Sequence, residues 1–175
     1  MRREKARCRR MIAGVAALMI CVSVSPGWAA GKAKPQKPQL CASDRDLAAL
    51  NARVLQTELM VAALSCGERQ RYNNFVTTYQ QVLKDRGQAL QALFKRTQGA
   101  RANTRLNAFV TKLANDASQQ VRSKGDDYCV FAGELFDETV ATSPHDLNSL
   151  TNKPWIIDRH GFRPCVEEAS RKQAG

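Results

Sequence analysis

The cysteines constrain the fold of this chain more than any other feature of its sequence. Two of the six, Cys8 and Cys21, lie near the N-terminus. The other four are Cys41, Cys66, Cys129 and Cys165. An even number of cysteines in an exported chain indicates disulfides. Zinc sites usually place their ligands in close pairs, whereas the nearest two of these cysteines are 25 residues apart, so no metal site is predicted.

Residues 1–29 have the pattern of a secretory signal peptide. Six basic residues and one acid lie within the first ten positions, and an apolar run from Met11 to about Val24 follows. Small residues then flank the expected cleavage site after Ala29. The main alternative is an uncleaved anchor, but the apolar run is shorter than the roughly 20 residues that a spanning helix needs. We therefore expect a periplasmic or secreted protein with no transmembrane segment after cleavage.

The rest of the chain divides into a linker and one domain. Residues 30–40 are rich in Lys, Pro and Gln, which predicts a disordered linker. Residues 41–175 are long enough for a single helical domain with a hydrophobic core. The formal net charge is +11 for the whole chain but only +3 for residues 41–175. Because so much of the basicity precedes the domain, nucleic acid is not an expected partner.

Apolar residues recur at helical spacing through the domain, which predicts an all-α fold. The four main helices are expected from Ser43, as N-cap, to Gly67; from Glu68 to Arg96; from Thr104 to Arg122; and from Asp127 to Ala141. Gly87 interrupts the second helix and indicates a kink or a close contact. A short fifth helix from Pro144 to Leu150 and an irregular C-terminal arm anchored by Trp155 complete an antiparallel bundle.

Helix geometry selects among the three possible cysteine pairings. Cys41 and Cys66 bracket the first helix and would lie roughly 37 Å apart at 1.5 Å per residue, too far for a disulfide. In an up-and-down bundle, the end of the first helix meets the start of the fourth. The C-terminal arm returns to the start of the first helix. We therefore predict Cys66–Cys129 and Cys41–Cys165.

The sequence carries no strong catalytic signature. Two histidines are present, His145 and His160. An acid and a histidine can form a general base, so Asp158 and His160 are the best candidate pair, although an ordinary solvated or structural histidine is the simpler interpretation. The motifs of zinc proteases, serine hydrolases, P-loop proteins and dinucleotide-binding proteins are absent from the sequence. We predict no catalytic residue and no cofactor.

Charge and polarity are unevenly distributed along the chain. Six basic residues are candidate contacts to an anion or partner: Lys84, Arg86, Lys95, Arg96, Arg101 and Arg105. Six acids and no base lie between Asp126 and Asp146. The basic segment therefore indicates either a binding surface or an element that faces the acidic one. Five polar residues have helical spacing and indicate a groove lining or a solvent-facing stripe: Asn73, Thr77, Asn107, Thr111 and Asn115.

Three functions follow from these observations. The favoured one is a non-enzymatic module that binds a protein or an anionic envelope component through the basic end or a helix groove. The first alternative is a small hydrolase or transferase that uses His160 with Asp158. The second is a structural or stress-protective envelope protein in which the disulfides provide persistence.

Overall fold

α-Helices make up nearly all of residues 41–165, the part of the chain described by a computed structural model. The predicted signal peptide, residues 1–29, and the predicted linker, residues 30–40, lie outside the described residues. The described residues form seven α-helices: α1 (Asp44–Ser65), α2 (Arg69–Thr78), α3 (Gln80–Gln98), α4 (Ala102–Lys124), α5 (Asp126–Ala141), α6 (Leu147–Thr151) and α7 (Pro154–His160). Turns of 3₁₀ helix precede α4 and α6, at Gly99–Arg101 and Pro144–Asp146. The predicted all-α fold is confirmed.

The central element of the fold is α1, which contacts every other α-helix. Its start is a capping box: the Ser43 hydroxyl accepts from the Asp46 N–H, and the Asp46 carboxylate accepts from the Ser43 N–H. Gly67, with a φ of 78° that favours glycine, follows its last turn. Among the described helices α1 alone is long and apolar enough to span a membrane, but 67% of its most apolar window is buried inside the protein. In this fold it is therefore the core helix.

The predicted second helix is two helices, because the chain breaks at Tyr79 rather than at Gly87. The three residues before the break are β-branched and therefore poor helix formers. Tyr79 is 1% exposed, and its hydroxyl donates to the carbonyls of Thr139 and Thr142 at the end of α5 (3.0 and 2.6 Å). A Cβ at Gly87 would have no neighbouring atom within 4 Å, so the expectation of a close contact there is wrong.

The predicted short fifth helix is present as a 3₁₀ turn followed by α6. The Ser143 hydroxyl caps it by accepting from the His145 N–H at 3.2 Å. The arm that follows is less irregular than predicted, because α7 begins with Pro154 and ends at the left-handed Gly161. Proline in the first helical position and glycine after the last are ordinary helix signals.

Both predicted disulfides are present. Cys66 and Cys129 join the end of α1 to the first turn of α5, with their Cα atoms 5.5 Å apart. Cys41 and Cys165 join the two ends of the described chain, with Cα atoms 4.6 Å apart. Beside this second disulfide, two short strands pair in parallel: β1 (Cys41–Ala42) and β2 (Arg163–Pro164). The arm is thereby attached to the start of α1, as predicted.

Candidate functional site

Four of the six predicted contact residues lie at one end of the bundle. Lys95 and Arg96 occupy the last turn of α3, and Arg101 and Arg105 lie in the turn and first helical turn that follow. An ion pair between Arg96 and Asp46 (2.7 Å) places this turn beside the start of α1. The α3–α4 turn therefore lies at the same end as the Cys41–Cys165 disulfide.

Two further arginines, not among the predicted contact residues, lie at this end. Arg45 is exposed in the first turn of α1, and Arg163 pairs with Cys41 across the two short strands. In the sequence, the location of Arg163 at this end is indicated by the predicted Cys41–Cys165 disulfide, because Arg163 lies two residues before Cys165. We define the basic end as Arg45, Lys95, Arg101, Arg105 and Arg163, all of which are exposed. No salt bridge is formed by any of the five within residues 41–165.

The positions of two of these cations oppose helix stability. The N-terminus of a helix carries a partial positive charge, which favours acids and disfavours bases. Arg101 precedes α4, and Arg105 lies in its first turn, which holds no acid. Lys95, at the C-terminal end of α3, is by contrast favourably placed. The dipole of α4 therefore does not account for the basic character of Arg101 and Arg105.

The other two predicted contact residues lie elsewhere. Lys84 is exposed on α3, eleven residues before Lys95, which is roughly 16 Å along a helix axis. Arg86 is partly buried and donates to the Asn148 side chain at 3.0 Å. Arg96 lies at the basic end, but its ion pair with Asp46 already engages it within the fold.

The acidic segment on α5 does not neutralise the basic end. Asp137 forms an ion pair with Arg71 of α2, and Glu138 forms one with Lys153. The interpretation in which the basic and acidic segments face each other therefore receives no support from these contacts. In the segments that form the basic end, residues 41–46, 95–105 and 163–165, the only acids are Asp44 and Asp46.

A buried charge pair between α1 and α7 was not predicted. Glu58 is 2% exposed and accepts a hydrogen bond from Arg159 at 3.2 Å, while its second carboxylate oxygen has no partner among the described residues. Burial raises the pKa of Glu58, although Arg159 and Tyr128 act to lower it. Burial and the nearby Glu58 also raise the pKa of the Tyr128 hydroxyl. The only sequence signal was an acid among the apolar residues of α1.

Neither Glu58 nor Arg159 lines any of the four cavities described for residues 41–165. Arg159 also lies over the Trp155 ring, 5.8 Å from its centroid. This arrangement orients α7 against α1, and we interpret it as structural.

The candidate pair His160 and Asp158 is not assembled as a catalytic base. His160 is 6% exposed, and its Nδ1 accepts a hydrogen bond from the Phe162 N–H at 3.1 Å. Asp158 is exposed on the same short helix. Burial lowers the pKa of His160, with Asp158 acting in the opposite direction. The His160 ring lies beside the Phe162 ring, with their centroids 6.2 Å apart.

Part of the predicted polar stripe lines surface cavities. Asn107 and Thr111 of α4 line a groove of about 360 Å³ with α3. Thr77 lines a second cavity, of about 400 Å³, between α2 and α5. Within residues 41–165, no three His, Cys, Asp or Glu side chains come together as a metal site.

Comparisons with known proteins add no functional information. No family model, no curated protein and no solved structure matches this chain.

Proposed function

We propose that this protein is an exported, non-enzymatic binding module whose basic end contacts a negatively charged component of the cell envelope. The observation that carries the proposal is the cluster of five exposed cations with no salt bridge among the described residues. The two disulfides support export, because such bonds persist in oxidising compartments.

The charge of the sequence around the basic end supports the same function. Lys32, Lys34 and Lys37 lie within ten residues of Cys41 in the sequence and add further positive charge to the chain. Clustered charge of one sign attracts anionic partners over a distance and accelerates their encounter. Each basic residue near an anionic lipid surface contributes about 1 kcal/mol of binding free energy.

The test compares two triple variants that change the net charge equally. The first is Lys95→Glu/Arg101→Glu/Arg105→Glu at the basic end; Arg96 is left intact because it pairs with Asp46. The control replaces three exposed cations on other surfaces, Arg69→Glu/Lys84→Glu/Arg122→Glu. The probes are vesicles containing phosphatidylglycerol, vesicles of phosphatidylcholine alone, and a soluble anionic polysaccharide.

We expect the wild-type protein to bind the anionic vesicles or the polysaccharide at about 0.05 M salt and to dissociate at about 0.3 M, because salt screens exposed charges. The basic-end variant should lose this binding, and the control should retain most of it. Equal losses in both variants would mean that net charge alone governs binding. Failure of the wild-type protein to bind either probe would reject the proposal and favour the structural or stress-protective alternative.

Export is tested separately by mass spectrometry of the protein recovered from cells. We expect the mass of a chain that begins after Ala29 and an increase of about four hydrogens on reduction, two for each disulfide. A chain that keeps residues 1–29 and has reduced cysteines would exclude export.

The alternative of a hydrolase or transferase at His160 receives no support from the geometry. Its Nδ1 is occupied by the Phe162 N–H, and its ring is buried. A general base must reach the proton that it removes, and Asp158 lies on the exposed side of α7.

A further inference from the structure

The groove between α3 and α4 contains a charged side chain that the fold does not neutralise. The groove has a volume of about 360 Å³, at the lower end of the range for small-molecule sites. Its apolar lining is Leu90, Leu106 and Val110, and its polar lining is Gln91, Asn107 and Thr111. Arg53, from α1, also lines it and is the only charged residue to do so.

Arg53 is half-buried, yet its guanidinium forms no hydrogen bond or ion pair within residues 41–165. Burying a charge is costly unless it is paired. Burial lowers the pKa of Arg53, while the Tyr72 hydroxyl acts to raise it, but an arginine stays protonated in proteins. The groove therefore presents one positive charge that no acid among its lining residues neutralises.

Gly87 lines this groove. It lies inside α3, where glycine costs about 1 kcal/mol relative to alanine. Its backbone does not need glycine, since its φ is not positive, and no atom approaches its Cβ position within 4 Å. Neither backbone conformation nor helix packing accounts for this glycine. Its effect on the structure is to leave space beside Arg53 and Leu90, with which it lines the groove.

We propose that this groove binds a small monocarboxylate with an apolar stem. One guanidinium matches one carboxylate in charge and pairs with it through two parallel hydrogen bonds. Side-chain amides and a hydroxyl, from Gln91, Asn107 and Thr111, supply further donors, and the aliphatic residues cover the stem. A phosphate dianion fits less well, because no second cation lines the groove.

The inference is independent of the basic end, which lies at the end of the bundle, whereas Arg53 lies midway along α1. The probe is octanoate, with 1-octanol as the uncharged analogue, titrated into the full exported protein by calorimetry and by amide chemical shifts. The variants are Arg53→Gln, Arg53→Lys and Gly87→Leu, and the matched control is Arg122→Gln, an exposed arginine on α4. Thermal melting establishes that each variant is folded.

We expect saturable octanoate binding, with shifts at residues of α3 and α4, and much weaker binding of octanol. Arg53→Gln should weaken octanoate binding by about tenfold or more, as expected for the loss of a charged hydrogen bond. Arg53→Lys should retain part of it, because charge remains without the planar pair of donors. Gly87→Leu should abolish it by filling the groove, and Arg122→Gln should leave it unchanged.

Three outcomes would overturn the proposal: no saturable octanoate binding, equal affinity for octanol, or unchanged binding in Arg53→Gln. The triple variant at the basic end distinguishes this proposal from the previous one. It should bind octanoate normally even where it no longer binds anionic vesicles.

Discussion

Arg96 donates to the carboxylate of Asp46 across 2.7 Å and joins the last turn of α3 to the first turn of α1. The same Asp46 oxygen accepts from the Ser43 hydroxyl (2.7 Å) and the Ser43 N–H (3.0 Å). Burial acts to raise the pKa of Asp46, but the contacts with Ser43 and Arg96 together hold it below its usual value. One carboxylate thus serves as a helix cap and as a tertiary contact.

We predict that Asp46→Ala lowers the free energy of unfolding by about 1–2 kcal/mol at neutral pH, as for other cap deletions. Because the folded-state pKa is lowered, this stabilisation is present above the ordinary value of 3.8 and is lost as the pH falls through the folded-state pKa. Denaturant unfolding of both proteins across this range measures the difference. Asp44→Ala, an exposed acid in the same turn, should have a much smaller effect.

Each disulfide closes a long loop, because Cys66 and Cys129 are separated by 63 positions in the sequence and Cys41 and Cys165 by 124. The double variant Cys66→Ser/Cys129→Ser removes the Cys66–Cys129 disulfide. It should lower the free energy of unfolding by about 2–5 kcal/mol, because the unfolded chain gains conformational freedom. The corresponding Cys41→Ser/Cys165→Ser protein should be similarly destabilised. Calorimetric melting of each, with and without reductant, checks this. A double variant that melts like the wild type would show that its disulfide is unimportant for stability.

Arg159→Met removes the cation from the buried Glu58 and should destabilise the protein by about 3 kcal/mol at neutral pH. The pKa of Glu58 is already above its ordinary value of 4.5, and losing Arg159 raises it further. The penalty is therefore largest above the folded-state pKa and shrinks as the pH falls toward 4.5, because the folded-state carboxyl then becomes protonated in both the wild type and the variant. Unfolding curves at several pH values measure this convergence.

The control for this pair is the double variant Glu58→Leu/Arg159→Met. Replacing a whole buried ion pair with apolar residues is often neutral or stabilising. The double variant should therefore recover most of the stability that Arg159→Met loses. A penalty in Arg159→Met that is independent of pH would indicate that packing against Trp155, rather than charge, is responsible.

His160 should make the stability depend on pH near neutrality. Burial lowers its folded-state pKa below the ordinary value of 6.5, while Asp158 acts to raise it. As the pH falls, the unfolded chain therefore binds a proton at this histidine before the folded protein does. The contribution of His160 to the free energy of unfolding is complete above pH 6.5 and is lost as the pH falls from there toward the folded-state pKa. His160→Asn keeps an acceptor for the Phe162 N–H and should flatten this dependence. The exposed His145→Asn is the matched control.

The ends of α1 are predictable from local sequence signals, whereas the helix break at Tyr79 is not. Ser43, Asp46 and Gly67 mark the ends of α1, and the structure begins and ends the helix where they predict. The break at Tyr79 was not predictable in the same way, because apolar periodicity continues across it. Its hydroxyl is held by carbonyls 60 and 63 residues away, and no local pattern records that contact.

The residues of the candidate sites also divide into those that the sequence indicated and those that only the fold reveals. Charge density along the chain indicated Lys95, Arg101 and Arg105, but it also included Arg96, whose ion pair with Asp46 only the fold shows. Nothing in the sequence indicated Arg53, because one arginine in a helix has no distinctive pattern. Its place in the groove depends on α3 and α4, which line the groove with it and provide no acid there.

By itself, the sequence determined the helical class, the ends of α1 and the pairing of the four cysteines. These depend on local capping, on 3.6-residue periodicity and on the length of a rigid helix. The tertiary structure alone decided where charges are paired and where they are not, since Glu58 meets Arg159 across 101 residues while Arg53 meets no acid within the described chain. Such pairings depend on how the helices are rotated and crossed relative to one another. The local order of residues does not show which distant side chains this brings together.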